Sequence, residues 1–531
     1  MTDTTASGPD LEPRDKEPRA GLGGLLRQAA QDSPDAVFLE DGSATTVTFG
    51  AAWRHVSRSI EALRARGLAA GDRIGILLPN DVRWPLTWLA VTGGGFVAVP
   101  INCSYETGDV RHVLDDAQVA AMVTDVDLVS KVSGAGAAHP PVIVSARSLF
   151  ALEETVGSTD AVEVTEDSSS LANLQYTSGT SGMPKACMLT HGYWLEVGRA
   201  MSNAFELTSA DRLITAQPFS YIDPMWMTVM SLQHRIPLVV LPRFSASRFW
   251  DDVRRYRATV LYVLGSMPQL LLGQPATGHD TDNDVRLVLC SAIPAAVHAD
   301  LEARWNAPWR EAYGLTESGL NILAPLDDPR SVGQGLLGVP APGWRVRVVD
   351  STGADVADGQ QGELLLAGPS LMLGYWNRPE ATAAVLREGW FHTGDLAIRR
   401  EDGWLRLVGR LKDSVRRGGE NIAASEVEEI IRELDFVSDC AVVGVDDELF
   451  GQEVKVHVEV PVGTVTEELA VLVQDHARAR LAPFKVPRYV DIWRSLPRTP
   501  SERIAKHKIA QHPSDQLVAT VDLGQRGRRT S

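Results

Sequence analysis

The sequence predicts an α/β protein: a large N-terminal domain of helix-covered sheets plus a small β-barrel-like subdomain, followed by a small C-terminal α/β domain. Three observations carry that expectation. From Gly21 to Leu289, short apolar runs alternate with helical patterns, the rhythm of a parallel sheet covered by helices. After Glu317 the rhythm becomes alternating strands separated by turns, which suits a small antiparallel sheet or distorted barrel. Past Arg410-Leu411-Lys412-Asp413, strands and helices return over a short span. At 531 residues the chain is long for one core, so two or more domains are expected.

In chain order, residues 1–20 mix Pro, Asp, Glu and Lys without periodicity and are expected to be disordered. They hold no apolar h-region, so no signal peptide is visible. Residues 46–49 lead into a helix over 50–67, and 72–80 read as a buried strand ending in a turn. Residues 84–101 carry no charge, but Pro85, the Gly93-Gly94-Gly95 triplet and Pro100 interrupt them. A helix over 84–91 and a short strand over 96–99 fit better than a membrane span. Further strands are expected at 120–124, 213–218, 238–242, 259–264 and 285–289, and in the antiparallel part at 344–350, 362–366 and 405–409. Beyond the boundary, Ser425-Glu426-Val427-Glu428 reads as a capping box opening a helix through Leu434. Strands at 440–445 and 454–460 and a helix over 467–481 complete that domain. The expected division is 1–20 disordered, 21–411 the N-terminal domain, 412–513 the C-terminal domain, and 514–531 a loose tail. No internal repeat is visible.

Composition narrows the class. The chain is 44% hydrophobic and 22% charged, as soluble globular proteins are. A net charge of −17 argues against a nucleic-acid partner. The four cysteines, Cys103, Cys187, Cys290 and Cys440, lie far apart without metal-ligand spacing. Buried thiols in a reducing cytoplasm are the expectation.

The stretch richest in chemistry is Tyr176-Thr177-Ser178-Gly179-Thr180-Ser181-Gly182-Met183-Pro184-Lys185, between two apolar runs. Its glycines let backbone N–H groups turn toward an anion, its hydroxyls donate further bonds, and Lys185 adds charge. It is not a Walker A loop, because Lys185 follows Gly182 by three residues and the Gly-Lys-Ser/Thr ending is missing. A Ser/Gly linker is the alternative, against which Lys185 and the flanking apolar runs weigh.

That loop resembles the signature of the adenylate-forming superfamily: acyl-CoA synthetases, luciferases and peptide-synthetase adenylation domains. The resemblance continues in order through Tyr313-Gly314-Leu315-Thr316-Glu317, His392-Thr393-Gly394-Asp395 and Gly409-Arg410-Leu411-Lys412-Asp413. Segments such as Arg243-Phe244-Ser245-Ala246-Ser247-Arg248-Phe249-Trp250 resemble carnitine/crotonobetaine-CoA ligase-like synthetases. The resemblance implies an ATP-dependent acid–CoA ligase using ATP, Mg²⁺ and CoA. A carboxylate attacks the α-phosphorus of ATP, giving an acyl-adenylate and pyrophosphate, and the CoA thiol then displaces AMP. It further implies that Thr177, Ser178, Gly179, Thr180, Ser181, Gly182 and Lys185 hold the β- and γ-phosphates. Glu317 would attend Mg²⁺, Thr316 the α-phosphate, and the Tyr313 ring, next to Gly314, the adenine. Asp395 and Arg410 would hold the ribose, with Ser291 and Ala292 beside the nucleotide. The acyl pocket would be lined around Tyr221, Ser266, Cys290 and Leu315. The resemblance further implies that Lys412 is the hinge of a mobile C-terminal domain and that Gly418 and Gly419 line the pantetheine tunnel. Arg416 and Arg417 either meet CoA phosphates or form a solvated basic pair.

Two departures stand out. Glu502-Arg503 replaces the family's Gly-Lys, so Arg503 occupies the place of the lysine that bridges carboxylate and α-phosphate. Arg503 keeps the charge in a wider planar fork, and Lys506 is the alternative carrier. Cys290-Ser291-Ala292 stands where relatives often have Gly-Gly-Ala. An enzyme performing one half-reaction, a loader of a separate carrier-protein thiol, and a non-catalytic nucleotide binder remain the alternatives. A homodimer is compatible with the sequence, and the Arg- and Ala-rich usage suggests a GC-rich bacterium, where a natural-product pathway is one setting.

Overall fold

A computed structural model of the chain describes residues 21–42, 45–150, 162–164, 167–177, 184–265, 267–411, 414–417, 420–447, 450–461, 467–498, 504–511 and 516–523. Two sheets build the large domain. One runs in the order Val142–Ser145, Ala121–Thr124, Arg73–Leu77, Val97–Pro100, Leu171–Thr177, Lys185–Thr190. Its strands are parallel until the last pair, an antiparallel hairpin in which Tyr176 faces Ala186 and Thr177 faces Lys185. The uncharged stretch at 84–101 forms the buried helix Arg83–Gly93 and the strand Val97–Pro100. Among the described residues no helix is long and apolar enough to cross a membrane.

The second sheet joins both strand rhythms of the sequence. Val37–Asp41, Leu238–Val240, Leu213–Thr215, Val260–Leu264, Leu287–Ser291 and Trp309–Leu315 are parallel neighbours. Beyond Trp309–Leu315 the ladder continues antiparallel through Gly319–Leu323, Leu336–Pro340, Leu405–Arg410, Trp390–Arg399, Gln361–Ala367 and Arg345–Val349. The expected antiparallel unit is therefore hydrogen-bonded onto the parallel one, and Tyr313 to Glu317 lies at the seam. Gly314 is required there: a Cβ on it would stand 2.3 Å from the carbonyl oxygen of Gly319.

The C-terminal sheet runs Glu420–Ala423, Ser414–Arg417, Gly451–Glu459, Tyr489–Trp493, Gln516–Asp522, with Asp439–Asp447 also paired to Gly451–Glu459. Two expectations are corrected. The supposed loose tail contributes the strand Gln516–Asp522, antiparallel to Tyr489–Trp493, with Leu523 buried and Leu517 and Val521 packed on the core. Its polar composition hid these apolar positions. The capping box does not form either. The helix is Ala424–Ile431, Ser425 sits inside its first turn, and the Ser425 hydroxyl donates to the carbonyl of Val408 instead. That bond ties the helix to the strand Leu405–Arg410.

Candidate active site

The hairpin that carries the Ser/Gly/Thr loop delivers Lys185 at the first position of the strand Lys185–Thr190. Its ammonium stands 5.1 Å from the centroid of the Tyr375 ring, a cation–π distance. The Tyr375 hydroxyl donates to Glu317 Oε1 at 2.9 Å. One phenol thus meets a cation on its face and an anion at its edge. The segment bearing Tyr375 runs along Lys185–Thr190, with Met188 N bonded to Gly374 O at 2.9 Å and Trp376 N to Ala186 O at 2.8 Å. Glu317 follows the seam strand, its backbone O accepting from Met372 N at 2.8 Å. Burial raises the Glu317 carboxyl pKa, and the Tyr375 bond opposes that rise.

A second cluster forms across the antiparallel pair Trp390–Arg399 and Leu405–Arg410, where Asp395 faces Arg410. The buried Asp395 accepts from Tyr313 Oη at 2.6 Å and from Arg410 Nε at 3.0 Å. Each carboxylate oxygen keeps a further lone pair for a ligand hydroxyl. Burial first, then the Asp395 charge, raises the Tyr313 phenol pKa. Gly394 turns the chain just before Asp395 at φ +68°.

The third element is the turn after Leu287–Ser291. Tyr262 donates to Ser291 Oγ at 2.8 Å, and Ser291 donates onward to Ala312 O at 2.5 Å. Ala292 adopts φ +71°, a strained setting for a residue with a Cβ. Glu311 holds it, its carboxylate accepting from Ala292 N at 2.7 Å and Ile293 N at 2.8 Å. Burial pushes the Glu311 carboxyl up to about 7 against those backbone bonds.

Cys290 is a correction. Side chains alternate across a strand, so Ser291 and Cys290 face opposite ways. Cys290 is fully buried with Val288, Leu261 and Val263 in the cluster on the far face of the sheet. On the Ser291 side stands Tyr262, which the sequence did not single out. Tyr221 stands at the N-cap of the helix Ile222–His234, Leu315 packs half-buried against the main core, and Tyr193 Oη donates to Thr316 O at 3.0 Å. Of the cysteines, Cys187, Cys290 and Cys440 are buried, whereas Cys103 is only partly so, its thiol raised to about 11 by burial.

In the C-terminal domain the Arg417 guanidinium is committed to a partner within its own domain. It makes a bidentate pair with the buried Glu453 at 2.8 and 2.7 Å and stacks 4.2 Å from the Phe450 ring centroid. Lys506 is engaged by Glu428 Oε1 at 2.8 Å and Val442 O at 3.0 Å. Ser178, Gly179, Thr180, Ser181, Gly182, Ser266, Lys412, Gly418, Gly419 and Arg503 lie outside the described residues. Tyr375, Glu311 and Tyr262 escaped sequence reading. Only Glu311 had a signal, its place two residues before Tyr313.

The chain thus combines a large α/β domain with a loop-bearing hairpin, an Asp–Tyr–Arg cluster at a strand pair, and a small C-terminal α/β domain, as adenylate-forming enzymes do. A model of the AMP-binding enzyme family matches residues 26–376, and one of the AMP-binding enzyme C-terminal domain matches residues 426–503. Feruloyl-CoA synthase from Amycolatopsis sp is 32% identical over 496 residues, 92% of this chain and 98% of that protein. Sulfoacetate–CoA ligase from Cupriavidus necator is 31% identical over 500 residues, 92% of this chain and 97% of that protein. ATP-bound MatB from Rhodopseudomonas palustris superposes with a TM-score of 0.84 at 27% identity, covering 93% of this chain and 99% of its own. The chain belongs to the AMP-binding enzyme family. It is an acid–CoA ligase that activates a carboxylic acid with ATP and passes it to CoA.

Proposed function

We propose that this chain runs both half-reactions of acid–CoA ligation with the following division of labour. Lys185 and the loop before it grip the β- and γ-phosphates, and Glu317 attends the metal-bound phosphates. Thr316 meets the α-phosphate, Tyr313 and the Ser291–Ala292 turn flank the base, and Asp395 with Arg410 takes the ribose. The observation that carries this reading is the placement of Lys185 and Glu317 about the single phenol of Tyr375. A polyanion must be met there by a cation and by a carboxylate able to hold a hard metal ion. Among the described residues no group of three or more His, Cys, Asp or Glu could hold a metal. One protein carboxylate suits Mg²⁺, which takes few protein ligands and fills its shell with phosphate oxygens and water. Mg²⁺ would supply charge neutralisation at the phosphates.

Adenylation brings one anion onto another, so the protein must place positive charge at the α-phosphate. Arg503 is assigned that task. Lys506, the alternative, is held inside the C-terminal domain by Glu428 and Val442. Tyr221, Leu315 and Ser266 are assigned to the acyl pocket, joined by Tyr262 in place of Cys290. Lys412 is assigned the hinge and Gly418-Gly419 the pantetheine passage. The demand for ATP and CoA, and four free cysteines, favour a cytoplasmic setting. A net charge of −17 disfavours nucleic acid as a partner.

The test starts with ferulate, sulfoacetate, oxalate and hexadecanoate, scored for pyrophosphate release and CoA-thioester formation. With an acid that turns over, Glu317→Gln should lower adenylate formation at least ~10²-fold, about 2.7 kcal/mol of transition-state stabilisation. Thioester formation from supplied acyl-adenylate should persist. A near-wild-type adenylation rate at saturating Mg²⁺ removes Glu317 from the metal role.

A further inference from the structure

The helix Thr107–Ala117 has no part in the roles assigned so far, yet two of its side chains grip both stems of the loop hairpin. Its apolar residues Val110, Val113 and Leu114 pack in the same cluster as Tyr176 and Ala186. His112 and Asp116, four residues apart, lie on one side of that helix. His112 Nε2 donates to Pro184 O at 2.9 Å, since a carbonyl can only accept. That carbonyl belongs to the peptide leading into Lys185. Asp116 Oδ2 accepts from Tyr176 Oη at 2.8 Å, one residue before Thr177. The two stems of the hairpin, which face each other as Tyr176–Ala186 and Thr177–Lys185, are thus each fastened to one helix.

Asp116 also reaches a third segment. Its Oδ1 accepts from Arg378 at 2.7 Å and its backbone O from Trp376 Nε1 at 3.1 Å. Those residues flank Tyr375, whose hydroxyl holds Glu317 and whose ring faces Lys185. The Asp116 side chain is only 10% exposed, so its bonds form in a partly desolvated setting where charge-assisted contacts are strong. One carboxylate therefore fixes the distance between the loop stem and the Tyr375 segment.

We propose that Asp116 and His112 are positioning residues for the polyphosphate of ATP: they set Lys185 and the two hairpin stems in register with Glu317. Neither touches the nucleotide. The inference rests on the assignment of the loop to the β- and γ-phosphates. It separates ATP from AMP, because AMP lacks the phosphates that the clasped elements would meet, while the Asp395 cluster is untouched.

Calorimetric titration of the full chain with Mg–ATP and, separately, with AMP needs no knowledge of the acid. Asp116→Ala and His112→Ala should each weaken Mg–ATP binding at least tenfold and leave the AMP affinity within twofold. His112→Gln, which can still donate to Pro184 O, should recover most of the loss, and Asp116→Asn should lie between Ala and wild type. Should Asp116→Ala fail to fold, the Asn and Gln variants carry the comparison. Equal loss of ATP and AMP affinity, or no loss of either, overturns the clasp. Lys185→Ala is run alongside: if it binds Mg–ATP like wild type, the loop assignment has failed. If it is weakened while the Asp116 and His112 variants are not, only the clasp has.

Discussion

Glu311 shows what burial without a counter-charge does to a carboxylate. Its oxygens receive two backbone N–H groups and, among the described residues, no side-chain cation, and desolvation lifts its pKa from 4.5 to about 7. The native protein therefore keeps a proton that the unfolded chain has already released between those values. By linkage, the Glu311 contribution to stability is complete below about 4.5, falls as pH rises toward about 7, and is constant beyond. A shift of this size corresponds to on the order of 3 kcal/mol. Glu311→Gln removes the titration and leaves an acceptor for one N–H of the strained Ala292 turn. Denaturant unfolding at about pH 5 and about pH 8 should show wild type losing more stability than the variant across that interval. Equal losses would mean the carboxyl is not raised.

At the scale of elements, the strand Gln516–Asp522 closes the C-terminal sheet. It covers the edge of Tyr489–Trp493, and Lys455 Nζ bonds Thr520 Oγ1 at 2.8 Å while Arg488 pairs with Asp522. Ending the chain after residue 515 should uncover that edge and lose the burial of Leu523, roughly 1.5–3 kcal/mol for such a side chain. Amide exchange in Tyr489–Trp493 should then quicken at least tenfold, a loss of about 1.4 kcal/mol or more of local stability. Unchanged protection would mean that the strand is dispensable. The helix Ala424–Ile431 starts one residue before Ser425, so Ser425 cannot cap it, and its hydroxyl donates to the strand carbonyl of Val408.

At the scale of the molecule, the two half-reactions ask different things of one C-terminal domain. Under the proposed division of labour, adenylation would need Arg503 at the α-phosphate, and thioester formation would need the Gly418-Gly419 passage. Arg503→Ala should therefore abolish adenylation and spare transfer from supplied acyl-adenylate. Lys412→Pro, which fixes φ at the hinge, should do the reverse, each loss being at least tenfold, or about 1.4 kcal/mol. If both variants slow both steps together, alternation about Lys412 is wrong.

The sequence by itself determined the fold class, the parallel and antiparallel rhythms, the family and the nucleotide motifs. Short-range patterns of apolar spacing and turn residues encode the fold class and its rhythms, and the resemblance of several ordered motifs carries the family. Asp395 and Arg410 were singled out through the family resemblance as separate ribose contacts, and the sheet decided that they face each other across neighbouring strands. Tertiary structure decided the rest. Tyr375 gains its place between Lys185 and Glu317 only because its segment adds to the edge of Lys185–Thr190. Glu311 matters only because the strand Trp309–Leu315 lies parallel to Leu287–Ser291, which brings its carboxylate under Ala292. Strand alternation sent Cys290 to the far face of the sheet and put Tyr262 beside Ser291. Each of these contacts joins residues that no local pattern relates. Hydrogen-bond geometry and side-chain direction across paired strands fixed them, and those are properties of the assembled sheet.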